Sequence, residues 1–278
     1  MTLSIITINR NNASGLEKTM KSVLSQTCKE FEYIVVDGAS TDSSVEVIQG
    51  FAESFGGRLR WISEPDKGIY NAMNKGIGMA TGDYIQILNS GDCLAADGVV
   101  ERMYKALEEK GFPSILYGNM LKDMPDGRIR RDRSYAGEPV TLIGMLHGSL
   151  NHSPAYIARR LFEKYGYYDE ALKIVSDWKW YLQSIILGEE NPVYIDMDVT
   201  LFDMTGISET NLSLREKELQ GELSKLIPAG ILADYEKWES DIKMMERIHR
   251  YPLVYKIIRL VERVLFKLEK RKLREYVN

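Results

Sequence analysis

Leu3-Ser4-Ile5-Ile6-Thr7-Ile8 forms a short apolar run near the start of the chain, and Asn9-Arg10-Asn11-Asn12 ends it at once. A run of that length suits a strand buried on both faces. A helical pattern follows through Leu16, Met20, Val23 and Leu24. The next apolar run, residues 31–36, stops at Asp37-Gly38-Ala39-Ser40-Thr41-Asp42. Thr41 or Asp42 can cap a second helix with the stripe Val45, Ile48, Phe51 and Ala52. The alternation continues with a strand over 58–62, a helix over 68–80 and a strand over 83–88. This order predicts an α/β fold with a mostly parallel central sheet flanked by helices. Such sheets bind ligands beyond the carboxyl ends of their strands, which selects 7–12, 37–42 and 89–92.

Further along, residues 115–121 and 129–135 read as a hairpin joined by Pro125-Asp126-Gly127. Residues 177–187 read as helix and 193–202 as strand. After Gly206 the pattern is helical, broken at Pro228 and Pro252. The expected division is a main domain over 1–205 and a helical extension over 206–278.

The 278 residues carry 36 Lys and Arg against 40 Asp and Glu, a net −4 that argues against general nucleic-acid binding. The charge is uneven. Residues 250–275 hold nine basic and three acidic side chains, leaving −10 on the rest. Leu253, Ile257, Leu260, Val264 and Leu268 share one helical face there, with Lys256, Arg259, Arg263, Lys267 and Lys270 on another. A helix of this kind suits an anionic membrane surface, and it equally suits packing on the main domain or in a homodimer.

Several chemistries fall away. Gly76, Gly78 and Gly82 lie between a helix and a strand, the reverse of a dinucleotide fingerprint, and no phosphate-binding GxxxxGK[ST] loop exists. His147, His152 and His249 lack zinc spacing, and no G-x-S-x-G elbow places a nucleophilic serine. Cys28 and Cys93 form no framework, and no apolar stretch reaches the roughly 18–20 residues of a membrane span. A soluble or peripheral protein of the reducing cytoplasm is the expectation.

Four motifs occur in order: Thr7-Ile8-Asn9; Val36-Asp37-Gly38 with Ser40-Thr41-Asp42; Glu64-Pro65-Asp66-Lys67-Gly68 running to Asn71 and Asn74; and Leu88-Asn89-Ser90-Gly91-Asp92. Over roughly residues 1–205 the sequence resembles the family 2 glycosyltransferases, which have the A-type nucleotide-sugar transferase fold (GT-A). The resemblance implies a nucleotide-diphospho-sugar donor, such as a UDP-sugar, and a glycan or lipid-linked acceptor in surface-polysaccharide synthesis at the inner membrane face. It assigns Thr7, Asn9, Asp37, Asp66, Lys67, Asn74 and Asn89 to donor binding. Asp37 can instead order its own turn, and Lys67 can be a solvated surface residue.

Relatives usually carry an Asp-x-Asp triplet at 89–92, which holds Mn²⁺ or Mg²⁺ against the diphosphate. Here Asn89 and Gly91 replace carboxylates, so Asp92 remains as the metal ligand, or as a cap for a helix starting near Ala95. In the second half, Ser176-Asp177-Trp178 resembles the catalytic-base segment, which implies Asp177 as the base of an inverting transfer. Asp177 also suits a helix first turn. His152 falls on the acceptor side. A sugar nucleotidyltransferase and a non-catalytic nucleotide-sugar binder are the competing readings.

Overall fold

The computed structural model describes residues 1–124, 127–204 and 211–277, with side chains described throughout except at 246 and 271–277. Pro125 and Asp126 of the expected turn, and the expected boundary at residues 205–206, lie outside the described residues. The chain divides into two compact units, Met1–Gly221 and Glu222–Asn278.

The first unit is α/β. Strands β1 (Leu3–Asn9), β2 (Phe31–Asp37), β3 (Leu59–Ser63) and β4 (Tyr84–Ile87) alternate with helices α1 (Ala13–Leu24), α2 (Ser44–Ala52) and α3 (Ile69–Met79). They pair in parallel in the order β3-β2-β1-β4. Every residue of β1 is buried, as a strand covered on both faces requires. The register then decides the chemistry at the strand ends. Asn9 pairs with Asp37, and Asp37 with Ser63, so three neighbouring strands end in one polar row.

The remaining elements of this unit are β5 (Cys93–Leu94), α4 (Val99–Glu109), β6 (Ile115–Asp123), β7 (Ile129–Asp132), α5 (Leu142–His147), β8 (Ala155–Ala158), α6 (Arg160–Tyr165), α7 (Ser176–Tyr181) and β9 (Pro192–Asp203). A π-helical stretch, Leu182–Leu187, extends α7. All nine strands belong to one sheet, β3-β2-β1-β4-β8-β6-β9-β5, with β7 hydrogen-bonded to β6. Past β4 the pairing becomes mixed: β8 runs antiparallel to both β4 and β6, whereas β9 lies parallel to β6.

Two local expectations are corrected. The helix placed near Ala95 begins at Val99, because Cys93 and Leu94 first pair with Leu201 and Thr200 of β9. Thr41 and Asp42 do not occupy the N-cap of α2. Ser43 does, while Asp42 Oδ1 accepts a bond from the Ser44 amide (3.1 Å) in a short turn.

Helix α8 (Leu212–Leu226) begins within the first unit. The second contains α9 (Ala229–His249) and α10 (Pro252–Val277). Pro228 is the N-cap of α9 and Pro252 the first residue of α10, positions where a missing amide hydrogen is tolerated. Leu253, Ile257, Leu260 and Val264 are each at least half exposed along α10. Among the described residues, no helix is long and apolar enough to cross a membrane.

Gly76 shows how closely α3 packs on β1. A Cβ at this position would run into Ile6 Cγ2, in the middle of the buried strand. Gly50 of α2 has open space around it. Gly76→Ala should therefore destabilise the protein by about 1–3 kcal/mol through overpacking. Gly50→Ala should stabilise it by about 0.5–1 kcal/mol through helix propensity. Paired denaturant melts of the two variants measure both signs.

Candidate active site

Four of the ten side chains singled out from the sequence (Asn89, Asp92, His152 and Asp177) line one cavity of about 720 Å³. Tyr70, Lys173, Asp203 and Arg215 line it too. The other six do not.

Asp177 lies in the first turn of α7, and aromatic packing fixes that helix. Trp178 Nε1 donates to the Met145 carbonyl (2.7 Å), and Trp180, fully buried, stacks on Phe162 with centroids 4.7 Å apart. Tyr70 lies 2.9 Å from Asp177 Oδ1 and 2.6 Å from the Ile174 carbonyl, so one hydroxyl proton is shared between two acceptors. His152 Nδ1 is 3.3 Å from Asp177 Oδ2. Burial alone would raise the Asp177 pKa. The His152 and Tyr70 contacts outweigh it and hold the carboxyl below its ordinary value. Burial likewise disfavours the His152 cation, but Asp177 beside it moves the imidazole upward.

The other ring nitrogen, Nε2, is 3.4 Å from Asn89 Nδ2. Neutral imidazole accepts there when Nδ1 donates to Asp177. A protonated ring donates instead, and the Asn89 carboxamide must then turn over. The Trp178 amide adds a further hydrogen bond to the Asp177 carboxylate.

Asp92 presents the opposite electrostatics. It is 2% exposed and accepts one bond, at Oδ1 from the Asp203 amide (2.9 Å), while Oδ2 is buried without a partner. Burial pushes its carboxyl up to about 7, against the backbone bond from Asp203 and the field of His152. Its loop is fixed by Thr19 of α1, whose hydroxyl donates to the Asp92 carbonyl (2.7 Å) and accepts from the Gly91 amide (2.9 Å).

The Asp37 row does not line this cavity. Asp37 is fully buried and accepts four bonds: Asn9 Nδ2 (2.9 Å) and Ser40 Oγ (2.5 Å) at Oδ1, and the Ser40 amide (2.9 Å) and Ser63 Oγ (2.6 Å) at Oδ2. Burial would raise its pKa, yet these bonds together hold it low. They fill the acceptor capacity of a carboxylate, so Asp37 orders the Gly38–Ser40 turn. Arg10, a cavity-lining residue, reaches back to Asp66 (3.6 Å), which also accepts from the Gly68 amide (3.0 Å).

The remaining expectations fall elsewhere. Thr7 is buried in the sheet, donating to the Leu88 carbonyl (2.7 Å) and accepting from Tyr33 (3.0 Å). Lys67 is exposed and does not line the cavity. Asn71 and Asn74 share a helix face, but it binds the loop at 168–170. Asn74 Nδ2 donates to the Tyr168 carbonyl (2.9 Å) and to Glu170 (3.0 Å), and Asn71 Nδ2 to Glu170 (2.9 Å).

Sequence reading missed Tyr70, Asp203 and Glu218. Asp203 directly follows the strand expected over 193–202, so the strand-end rule could have found it. Glu218 carries no such signal: from α8 it accepts the amides of Lys173 (2.7 Å), Ile174 (2.9 Å) and Val175 (3.3 Å), the segment leading into α7.

The Asp37 bonds give a pH test. Its folded-state pKa lies below the unfolded value of about 3.9, so its stabilisation is complete above that value. It is lost as pH falls through the folded pKa. Asp37→Asn should cost about 2 kcal/mol at pH 7, the scale of hydrogen bonds to a charged group. The gap from wild type should close below about pH 4, as thermal melts across that range would show.

A family model described as glycosyl transferase family 2 matches residues 4–170. An uncharacterized glycosyltransferase of Mycobacterium tuberculosis is 34% identical over 235 residues, covering 82% of this chain and 86% of that protein. A PGL/p-HBAD biosynthesis glycosyltransferase of Mycobacterium bovis is 30% identical over 176 residues, covering 63% and 66%. In fold, the chain is similar to Staphylococcus aureus TarS in complex with UDP-GlcNAc (TM-score 0.65, 17% identity), over 81% of this chain and 67% of that one. It is also similar to the mannosyltransferase PcManGT of Pyrobaculum calidifontis in complex with GDP-Man and Mn²⁺ (TM-score 0.62, 18% identity), over 81% and 64%. These transferases have the same A-type nucleotide-sugar fold. The match over most of its sheet and the cavity beyond the strand ends agree: the chain belongs to glycosyl transferase family 2.

Proposed function

We propose that the protein is an inverting glycosyltransferase that moves a hexosyl or N-acetylhexosaminyl group from a UDP-sugar to a hydroxyl of a glycan or lipid-linked acceptor. The observation that carries this reading is the cavity on which Asp92 and Asp177 both lie, brought from the end of β4 and the start of α7. Asp177, held by His152 and Tyr70, is the base. It takes the proton from the acceptor hydroxyl as that oxygen attacks the anomeric carbon opposite the leaving nucleotide. His152 positions Asp177 and the acceptor side.

Donor binding is assigned to the strand-end row. Two of the four bonds to Asp37 come from serine hydroxyls, which rotate at small cost. A base N–H can replace either of them. Asn9 and Asp66 hold the same turn, Arg10 offsets diphosphate charge from the cavity wall, and Asn89 faces the donor beside His152. Thr7 and Asn74 shape the site from behind, and Lys67 contributes charge at the surface.

Asp92 is the residue for a divalent cation. Its buried, unpartnered Oδ2 is the acceptor such an ion fits, and Mg²⁺ or Mn²⁺ needs only one or two carboxylates when phosphate oxygens and water supply the rest. Among the described residues, no group of three His, Cys, Asp or Glu could hold a metal, so phosphate oxygens and water would have to supply most of the shell. A bound ion would neutralise charge on the departing diphosphate.

The likeness to a PGL/p-HBAD biosynthesis enzyme supports a surface-glycolipid or polysaccharide role, and α10 suits a protein working at the inner face of the cytoplasmic membrane. Its exposed apolar side and its row of Lys256, Arg263 and Lys267 complement an anionic bilayer, with each near-surface cation worth about 1 kcal/mol.

Two outcomes are expected. A thermal-shift panel of UDP, GDP, CDP and dTDP should single out UDP. Asp177→Asn should keep that shift while losing about 10²–10⁴-fold in nucleotide release from the matching donor. Equal shifts from all four, or unchanged turnover, would sink the reading. Separately, the full chain should pellet with vesicles containing phosphatidylglycerol but not with pure phosphatidylcholine, and Arg263→Glu with Lys267→Glu should abolish pelleting. A vesicle-indifferent chain that runs as a dimer would assign the helix to a second copy.

A further inference from the structure

The sequence has Asn89 and Gly91 where relatives carry the acids of the metal triplet, and another strand brings a carboxylate close to position 91. Cys93 pairs with Leu201 and Leu94 with Thr200, in antiparallel register. Continuing that register by two positions sets Gly91 opposite Asp203. The side chains confirm the juxtaposition: a Cβ built on Gly91 would stand 2.7 Å from Asp203 Oδ2 and 3.2 Å from its Cβ. The Asp203 carboxylate thus occupies the volume where a residue-91 side chain would begin.

Gly91 is excluded from carrying that side chain in a second way. Its φ of +106° lies where L-residues are strained, and Thr19 holds the loop in that conformation through the Gly91 amide and the Asp92 carbonyl. Position 91 cannot supply an acid without remaking the loop.

We propose that Asp203 is the second carboxylate of a divalent-cation site with Asp92, taking the place of the acid missing at Gly91. Both residues line the same cavity, and the Asp203 amide fixes Asp92 by donating to Oδ1 (2.9 Å). That bond leaves Asp92 Oδ2 buried and unpartnered on the cavity that Asp203 also lines. An all-oxygen pair beside a site for phosphate oxygens favours Mg²⁺ or Mn²⁺ over softer metals. The inference rests on the proposed donor reading only for the ligands that complete the ion's shell.

The test is Mn²⁺ binding to the full chain, followed by electron paramagnetic resonance of the free ion, with and without UDP. Asp92→Asn and Asp203→Asn should each weaken Mn²⁺ by at least about 10-fold, since losing even a group that only supports a ligand costs about that much. Asp198→Asn, an acid on β9 paired with Arg131 (2.7 Å), should stay within about 2-fold of wild type, far less than the ligand variants. Asp203→Asn at wild-type affinity would overturn the assignment. If that variant does not fold, the wild type decides: Fe²⁺ with ascorbate and peroxide should cleave the backbone near both residue 92 and residue 203. Cleavage near only one of them, or near neither, would overturn it. A failure of UDP to bind would count against the donor reading, while the Mn²⁺-alone affinities would still judge Asp203.

Discussion

Desolvated carboxylate charge governs the site of this protein. Asp37, Asp92 and Asp177 all sit where the chain leaves or enters an ordered element, and each must be compensated within the fold or by something bound to it. Asp37 receives four hydrogen bonds and is held low. Asp177 gains an imidazole and a phenol, and is held low as well. Asp92 receives one backbone bond, stands beside Asp203 and is pushed up to about 7. The fold therefore completes two of these charges internally and leaves the third with unfilled acceptor capacity on the cavity. That difference gives three residues of one chemical type three distinct electrostatic environments.

The parallel register makes this possible. Because β1, β2 and β3 end level with one another, Asn9, Asp37 and Ser63 meet without any long-range adjustment. Asp177 arrives from much further along the chain. Its position depends on Trp178 and Trp180, on Tyr70 from α3, and on Glu218, which gathers three successive amides just before α7. Hydrogen bonds to a carboxylate are roughly twice as strong as neutral ones, and the segment held this way includes the carbonyl with which Asp177 shares the Tyr70 proton.

Much of this was legible in the sequence, for identifiable reasons. The apolar runs at 3–8 and 31–36 have no helical alternative of adequate length, so the sheet followed, and with it the strand-end loops. That Asp92, His152 and Asp177 meet on one cavity agrees with the motif order, which carries their context. Thr7 and Asn74 were assigned to donor binding by the same motifs, yet their hydrogen bonds go to the sheet and to the 168–170 loop. A motif records that a polar residue is needed and not which neighbour needs it. Asp203 and Glu218 come from β9 and α8, and their positions depend on pairing across more than 40 residues of chain. Periodicity within one segment carries no such information.

A crystal structure of the full chain with UDP and Mn²⁺ tests the central claim most directly. The account places the uracil toward the Asp37 row, the diphosphate and the ion against Asp92, and Asp177 across the cavity from the diphosphate, facing the space an acceptor would enter. A nucleotide bound outside this cavity, or a diphosphate lying on Asp177 itself, would contradict it.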